Sequence, residues 1–392
     1  MLQSSQRVLG ASLLIAGCCI GAGMLGLPLV TVSAGFLSSS VAFIIGWAFM
    51  ASTGLLLLEA NLWYGEGIHL MTLAELTLGK IAKYLVAFCF GFLFYCLLIA
   101  YLAGGGSIIH EFAEQTLGIP IGSFSGSLIL MIFFGAVVFM GPVKVDLVNR
   151  LLMTGLGLAY FSLVLMGFPH VKKAHLEGGS WNYALPALPA IIISFGYHNL
   201  VPSLTSYLKG NARELRLSLL IGSFIPLVIY LIWNGIILGL LPDKDLQAAI
   251  DSGSMITGLL RDTIGNSYVV NLMHIFAFFA LVTSFLAVAL SFVDFLADGL
   301  KIKKTMQGSL LLLCLVLLPP CILSYIYPSI FLKALNYAGA FGAVLLFGIV
   351  PVLMVWRGRK ERKEPIKVFN LLLIGGFALF VFLLQLKNEL GI

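Results

Sequence analysis

Charged residues are scarce in this chain. Asp, Glu, Lys and Arg make up 10% of its 392 residues, whereas apolar residues make up 60%, and the mean hydropathy is +1.05. A water-soluble fold has too little interior to bury so much apolar surface. The composition therefore excludes an ordinary soluble enzyme and indicates an integral membrane protein.

The sequence also lacks the motifs that most enzyme chemistry requires. It has no phosphate loop with Gly-Lys-Ser or Gly-Lys-Thr, no Gly-x-Ser-x-Gly elbow, no His-Glu-x-x-His and no paired-cysteine metal motif. Its six cysteines all fall inside apolar runs, where no disulfide framework is expected. The net charge is +6, but the basic residues form no patch with interleaved aromatics. We therefore predict that the protein is not an enzyme and that it binds no metal, cofactor or nucleic acid. We also predict no obligate protein partner, and an outer surface that contacts membrane lipid.

Long apolar runs, by contrast, recur along the whole chain. A spanning helix needs about 20 apolar residues, and we predict eleven such spans in one polytopic domain over residues 1–392. The first run follows Arg7 without a small-residue cleavage site, which favours a retained span over a signal peptide. The predicted spans are about 8–33, 37–60, 83–110, 122–142, 149–169, 185–208, 216–241, 268–298, 307–323, 331–356 and 367–387.

Lys and Arg are distributed unequally between the two sides of these spans. With a cytoplasmic N-terminus, 17 of the 23 basic residues lie in inner segments, most densely between Arg357 and Lys367. The positive-inside rule therefore predicts a cytoplasmic N-terminus and, because the span number is odd, an external C-terminus. The long connection from Pro242 to Asn266 then lies outside, either as an ordinary loop or as a short helix or lid.

Two spans contain glycine and proline near their centres. Span one reads Gly21-Ala22-Gly23-Met24-Leu25-Gly26-Leu27-Pro28, and span six reads Phe195-Gly196-Tyr197-His198-Asn199-Leu200-Val201-Pro202. Gly tolerates unwound backbone and Pro removes an amide donor, so both segments are poor continuous helix. Close packing and a simple kink would also explain either segment alone. Their matched places, five spans apart, favour interruptions in an inverted repeat of about 8–169 and 185–356, with an extra helix at about 367–387.

Span eight carries a stripe of small and polar residues. Ser284, Ala287, Ser291, Asp294 and Asp298 follow at intervals of three and four, and Thr283 lies beside the first. An acid inside a membrane is costly, so Asp294 needs a compensating partner. Three basic residues are candidates for that partner, namely Lys144, Arg150 and Lys301.

Four further residues carry titratable or hydroxyl groups inside spans. His198 either carries a proton or is a hydrogen-bonded pocket histidine. Tyr95 and Tyr101 either present hydroxyls to a central cavity or bond neighbouring carbonyls. His274 has no acid or cysteine at metal-ligand spacing and is interpreted as structural.

Taken together, three segments resemble the hydroxy/aromatic amino acid permease family, most closely its bacterial tyrosine and tryptophan permeases. The segments are Ile20–Pro28, Ser194–Leu204 and Val293–Leu300, and the likeness covers nearly the whole chain. The resemblance implies an all-α LeuT-type fold with five plus five inverted spans, an extra helix, and discontinuous helices one and six. It also implies proton-driven uptake of an aromatic amino acid, tyrosine first and tryptophan next, across the bacterial inner membrane.

In that fold the two interruptions bind the substrate's amino and carboxylate groups. The implied substrate-binding residues are Gly21, Ala22, Gly23, Met24, Gly26, Tyr101, Phe195, Gly196, Tyr197, His198 and Asn199. The implied coupling residues are Thr283, Ser284, Asp294 and His198. The hydroxyls of Thr283 and Ser284 match cation ligands of sodium-coupled relatives. A sodium-coupled transporter of another neutral amino acid therefore stays open as the alternative. A passive channel would require a continuous polar ring through several spans, and the sequence has none.

Overall fold

The computed structural model describes residues 2–65, 68–242, 244–246 and 267–390, and all regular structure in these ranges is helical. Most of the predicted external connection from Pro242 to Asn266 lies outside the described residues. The α-helices are α1 (Leu2–Cys19), α2 (Ala22–Thr31), α3 (Gly35–Leu62), α4 (Leu70–Leu78), α5 (Lys80–Leu117), α6 (Ser123–Phe139), α7 (Pro142–Gly167), α8 (Lys173–Leu176), α9 (Ala184–Ser194), α10 (Val201–Tyr207), α11 (Ala212–Leu240), α12 (Ser267–Gly299), α13 (Met306–Ile326), α14 (Phe331–Tyr337), α15 (Val350–Arg362) and α16 (Val368–Leu390).

Each predicted span corresponds to one or two of these helices. Span one contains α1 and α2, span six contains α9 and α10, and span ten contains α14 and α15. Within the described ranges, nine helical segments are long and apolar enough to cross a membrane, and one of them, Ala22–Leu62, joins α2 to α3. Two further apolar helices are shorter, Ser5–Cys19 and Ser123–Phe139. The all-α membrane class is confirmed, and the total of eleven crossings stays a prediction.

Three features differ from the predicted spans. The helix α4 lies between spans two and three, and its nine residues are too few to cross a bilayer. Its buried residues, Leu70, Leu73, Ala74 and Thr77, follow helical spacing, so it packs one face on the bundle. The helix α5 extends past both predicted ends of span three, and a π-helix, Ala338–Ile349, replaces regular α-helix inside span ten.

Large apolar side chains cover the outside of the bundle. Leu151 and Leu165 on α7 are each 74% exposed, and Phe369 on α16 is 76% exposed. Such side chains are unfavourable in water and favourable against lipid tails, so these helices form the lipid-facing surface. The core lies between α1, α2, α3, α5, α9, α11, α12 and the π-helix.

The two long helices α5 and α12 run antiparallel through this core. Phe90 of α5 lies 6.2 Å from Phe295 of α12, between ring centroids, and further along the pair Gly104 faces Leu281. The neighbouring Gly105 and Gly106 face α6, where small residues let the two backbones approach closely. The glycine run is therefore a packing feature.

An ion pair joins two helices at the predicted cytoplasmic end of the bundle, called the inner end below. Arg359 on α15 donates from Nε and Nη2 to the two carboxylate oxygens of Glu59 on α3, at 2.6 and 2.8 Å. The adjacent Arg362 guanidinium lies 4.8 Å from the Trp63 ring centre. The two-pronged geometry fixes the end of span two against the end of span ten.

Candidate functional site

The first interruption lies between α1 and α2. The helix α1 ends at Cys19 and α2 begins at Ala22. Gly21 has an extended backbone, with φ −173°, which any residue adopts. Glycine is needed there for space, because an added Cβ would overlap the Ser284 hydroxyl. The Ala22 amide donates a hydrogen bond to that hydroxyl at 3.0 Å, so the first interruption is joined to α12.

The second interruption lies between α9 and α10. The helix α9 ends at Ser194, residues 195–197 are non-helical, and a 3-10 turn over His198–Leu200 leads into α10. Pro202 at the start of α10 removes an amide donor where an intrahelical partner is already lacking. The Cys18 thiol contacts the Gly196 carbonyl oxygen at 3.5 Å, so the end of α1 reaches this second interruption.

The two interruptions share one hydroxyl. The Oη atom of Tyr230 on α11 lies 2.6 Å from the Cys19 carbonyl oxygen and 2.8 Å from the Ser194 carbonyl oxygen. These carbonyls belong to the last residues of α1 and α9, where helix ends leave acceptors unpaired. Tyr230 is fully buried, and its ring packs on Phe195 with centroids 5.2 Å apart. Tyr230 therefore fixes the two broken spans relative to each other.

Gly23 is the second close contact between the broken spans. An added Cβ there would lie 2.6 Å from Oγ of Ser194, closer than real Cβ atoms approach another atom. The predicted residues Gly21, Ala22 and Gly23 thus all lie where α2 meets α9 or α12. Met24 is fully buried, and Gly26 faces Phe331 and Leu335 of α14.

Tyr197 and His198 lie against α3 and the π-helix. Nε2 of His198 is 2.9 Å from the Thr53 hydroxyl, and its ring stacks on Phe347 with centroids 4.7 Å apart. The Tyr197 hydroxyl donates to the Met50 carbonyl oxygen at 3.3 Å. Nδ1 of His198 has no hydrogen-bond partner among the described residues. Among the described residues, no hydrogen bond joins either ring to Ala22 or Ser284.

Of the two tyrosines predicted on span three, only Tyr101 reaches the interruption. Its side chain lies close to that of Ser284, whose hydroxyl accepts the Ala22 amide. The Tyr95 hydroxyl instead donates to the Leu315 carbonyl oxygen at 2.8 Å on α13. Tyr101 thus shares the polar centre, whereas Tyr95 has the neighbouring-carbonyl arrangement.

The predicted stripe on α12 divides into two parts. Ser284 belongs to the centre, and Thr283 beside it donates to its own helix at Phe279, 2.8 Å away. Asp294 pairs with Lys304 at 2.7 Å, and both side chains are about half exposed. The sequence candidates for that partner, Lys144, Arg150 and Lys301, were therefore wrong. The tight turn after α12 returns Lys304 to the acid.

Several residues of this centre were missed by sequence reasoning. Tyr230, Thr53 and Phe347 each occupy an otherwise ordinary apolar span, so no local signal distinguishes them. Phe331 packs against both Gly26 and Gly104, between α2 and α5. Away from this centre, His274, interpreted from the sequence as structural, lies beside Glu111, which falls one residue beyond the predicted end of span three.

Broken helices that meet near the middle of a membrane bundle are typical of secondary transporters. The profile of the tryptophan/tyrosine permease family matches residues 4–390, almost the entire chain. The chain belongs to this family. The resemblance drawn from the sequence motifs is thus confirmed.

Curated relatives agree with this assignment. A tryptophan-specific transport protein of Haemophilus influenzae is 33% identical, over 99% of this chain and 97% of the relative. A tyrosine-specific transport system of the same organism is 33% identical, over 94% of this chain and 93% of the relative. A low affinity tryptophan permease of Escherichia coli K12 is 30% identical, over 91% and 88%. These relatives are transport proteins rather than enzymes, as predicted.

A solved transporter has the same fold. The crystal structure of MhsT in complex with L-phenylalanine superposes with a TM-score of 0.64 at 17% identity, covering 96% of this chain and 97% of that chain. At this identity the likeness concerns the fold alone. The permease is therefore a multi-pass membrane transport protein with a LeuT-type fold, which confirms the predicted fold class.

Proposed function

We propose that this permease imports aromatic amino acids across the bacterial inner membrane by proton symport, with tyrosine favoured and tryptophan next. The observation that carries the proposal is that Tyr230 joins the ends of both interruptions, while Ser284 contacts the first one. An amino acid presents a carboxylate and an ammonium. The N-terminus of α2 attracts the carboxylate, and the carbonyl ends of α1 and α9 attract the ammonium.

The names of the relatives support an aromatic side chain on the substrate. Tryptophan-specific and tyrosine-specific relatives are equally similar, each 33% identical. We assign the substrate's polar groups to the backbone of Gly21–Gly23 and Gly196, and its side chain to the space around Tyr101, Phe195 and Asn199. The competition experiment below tests whether tyrosine is preferred to tryptophan as the substrate.

Alternating access is supported by a difference between the two ends of the site. Toward the predicted outer side, Met24, Leu25 and Leu27 are buried, and Phe331 packs across Gly26 and Gly104. Toward the inner side, Cys18, Asn199 and Ser291 are exposed. Exposed polar groups in a span are costly in lipid, which favours an aqueous inner vestibule. We therefore assign the arrangement as inward-facing, and propose that outward opening withdraws Phe331.

The membrane orientation and repeat boundaries belong to the same proposal. Spans 8–169 and 185–356 would be the inverted halves, with 367–387 as the extra helix and the N-terminus in the cytoplasm. The equivalent places of the α1/α2 and α9/α10 junctions support this division.

Competition for uptake tests the substrate. Permease reconstituted in liposomes takes up radiolabelled tyrosine, and each of the twenty unlabelled amino acids is added in excess. Tyrosine should compete best and tryptophan second. Stronger competition by a small neutral amino acid than by any aromatic one would contradict the substrate assignment.

Imposed gradients test the coupling. A pH gradient, acidic outside and without sodium, should drive tyrosine accumulation that a protonophore abolishes. The alternative is sodium coupling, which the Ser284 hydroxyl at the first interruption favours. Accumulation that requires sodium and ignores the protonophore would establish that alternative. If the internal tyrosine concentration never rises above the external one, the result would instead indicate a passive channel.

A further inference from the structure

A basic segment at the inner end of the bundle takes no part in the substrate site. Residues 357–367 include six basic and two acidic residues. Arg357, in the second half of α15, donates from Nη1 to the Leu78 carbonyl oxygen at 3.2 Å. Lys80, the first residue of α5, is two positions beyond that carbonyl. The contact therefore brings Lys80 and the basic segment together at one edge of the bundle, called the basic edge below.

Only part of the positive charge at the basic edge is neutralised within the protein. Arg359 pairs with Glu59, and Arg357 pairs with Glu361 at 2.9 Å. Four exposed lysines form no ion pair with any residue that the structure describes, namely Lys80, Lys360, Lys363 and Lys367. An exposed cation without an internal partner is available to an anion outside the protein.

Aromatic rings lie at the same level as these cations. The Arg362 guanidinium lies 4.8 Å from the centre of the Trp63 ring and 5.3 Å from that of Tyr64. Trp356, one residue before Arg357, is 54% exposed. Trp and Tyr concentrate where the hydrocarbon of a bilayer meets water. The basic edge therefore lies at the depth of the lipid headgroups.

An exposed apolar stripe runs from the basic edge into the membrane. On the first turns of α5 it consists of Ile81, Tyr84, Leu85 and Phe88, which are 60–79% exposed. Their helical spacing places them on one face. Leu353 of α15, one turn before Trp356 and so deeper in the membrane, is exposed as well. Hydrocarbon chains are the favourable neighbours of such faces.

Topology alone does not account for this arrangement. The positive-inside rule requires only that Lys and Arg lie in inner segments. It does not require that cations from α5 and α15 converge, or that they border an apolar stripe and interfacial aromatic rings. A molecule with a negative head and hydrocarbon chains is complementary to all three features. Anionic phospholipids have this structure, and they attract basic segments beside membrane spans.

We propose that the basic edge binds an anionic diacyl phospholipid. Its phosphate contacts Lys80, Arg357 and Lys360, and its chains lie along the stripe on α5 and against Trp356. Guanidinium and ammonium groups both form charge-assisted hydrogen bonds with phosphate oxygens. The bound lipid joins the start of α5 to the end of α15, in addition to the direct contact at Leu78.

Native mass spectrometry and thermal unfolding of the purified permease test lipid binding. In a neutral detergent, dioleoyl phosphatidylglycerol should stay bound and raise the unfolding temperature, because a ligand of the folded state stabilises it. Dioleoyl phosphatidylcholine has the same chains and no net charge, so its effect should be much smaller. Equal stabilisation by the two lipids would overturn an anionic site. Equal stabilisation by inorganic phosphate would show that the site binds a free anion, and would overturn the lipid assignment.

The double variant Lys80→Gln/Lys360→Gln tests the location of the site. Loss of two cations beside the headgroup should weaken phosphatidylglycerol binding about thirtyfold. Neither lysine forms an ion pair among the described residues, so the unfolding temperature without lipid should not change. Lys80→Arg/Lys360→Arg keeps both charges and should keep the affinity. Wild-type affinity in the Gln variant would overturn the location.

The matched control removes the same charge elsewhere at the inner end. Arg213 at the start of α11 and Lys303 after α12 are exposed and form no ion pair within the described ranges. Arg213→Gln/Lys303→Gln should leave the affinity for phosphatidylglycerol within about twofold of wild type. An equal loss of affinity in the control would show that binding follows net charge, and would contradict a defined site.

Photocrosslinking of the unmodified permease gives a readout that no substitution can disturb. Phosphatidylglycerol with a diazirine in one acyl chain should label residues 81–88 of α5 or 353–356 of α15. Labelling spread evenly over the lipid-facing helices, or absent from these two segments, would overturn the proposal. None of these measurements involves transport, so their failure would leave the proposed substrate and coupling untouched.

Discussion

The amide of Ala22 donates a 3.0 Å hydrogen bond to the hydroxyl of Ser284. The two residues are 262 positions apart in the chain. Ala22 is the first residue of α2, and Ser284 lies midway along α12. The bond satisfies one of the amides that a helix start leaves unpaired, and it brings the first interruption to the polar stripe.

Ser284→Ala should impair transport. The change removes the acceptor of the Ala22 amide and leaves that donor unpaired, a loss of about 1–3 kcal/mol. We expect an initial tyrosine uptake rate at least about fivefold below wild type. Ser162→Ala, on an exposed hydroxyl that bonds only its own helix, is the control. Wild-type kinetics in Ser284→Ala would show that this bond has no functional role.

Tyr230→Phe should loosen the junction of the two broken spans. The ring is retained, but the carbonyls of Cys19 and Ser194 lose their shared donor, at a cost of about 1–3 kcal/mol. Both thermal stability in detergent and tyrosine uptake should fall. The control is Tyr160→Phe, which removes a longer bond, 3.2 Å, to a carbonyl within α11. Equal effects of the two substitutions would contradict a special role for Tyr230.

Gly23→Ala should abolish uptake, and a second substitution should restore part of it. The new Cβ would lie 2.6 Å from Oγ of Ser194 but 3.3 Å from its Cβ. Ser194→Ala removes only the closer atom, so the double variant should recover uptake and membrane expression above the Gly23→Ala level. No recovery, with both proteins present in the membrane, would mean that Gly23 is required for another reason.

Reversing the Glu59–Arg359 pair should show whether the inner ends of spans two and ten are held electrostatically. Each single reversal places two like charges together at a site where the side chains are 25% and 16% exposed. We expect a loss of about 1–3 kcal/mol in stability for each. Glu59→Arg/Arg359→Glu should recover most of the thermal stability. A double variant no more stable than the singles would indicate that geometry, not charge, matters.

Cysteine labelling should establish the orientation. In a cysteine-depleted background, Lys363→Cys in the basic segment should react with an impermeant maleimide only after the membrane is opened. Asn388→Cys near the C-terminus should react in intact cells. The reverse pattern would invert the proposed topology.

Local sequence properties predicted the spans and the places of the interruptions. An apolar run long enough to cross a bilayer is visible without knowing its neighbours. The glycine and proline of segments 21–28 and 195–202 act on their own backbone, so their effect is also visible locally. The helices that end at Cys19 and Ser194 reflect these local preferences.

The partners of polar groups were much harder to predict. Lys304 was not among the candidates for Asp294, because the turn after α12 decides which base returns to the acid. His274 was interpreted as structural, because its acid lies on a helix more than 160 residues earlier in the chain. Sequence spacing carries no information on such contacts.

The sequence by itself determined the membrane class, the permease family and the positions at which two spans are broken. Only the tertiary structure decided that Tyr230 joins the two breaks, that Ser284 meets Ala22, and that Glu111 lies beside His274. The physical reason is that a spanning helix is apolar on nearly every side. Its periodicity does not reveal which face points inward, and interhelical packing alone sets its neighbours.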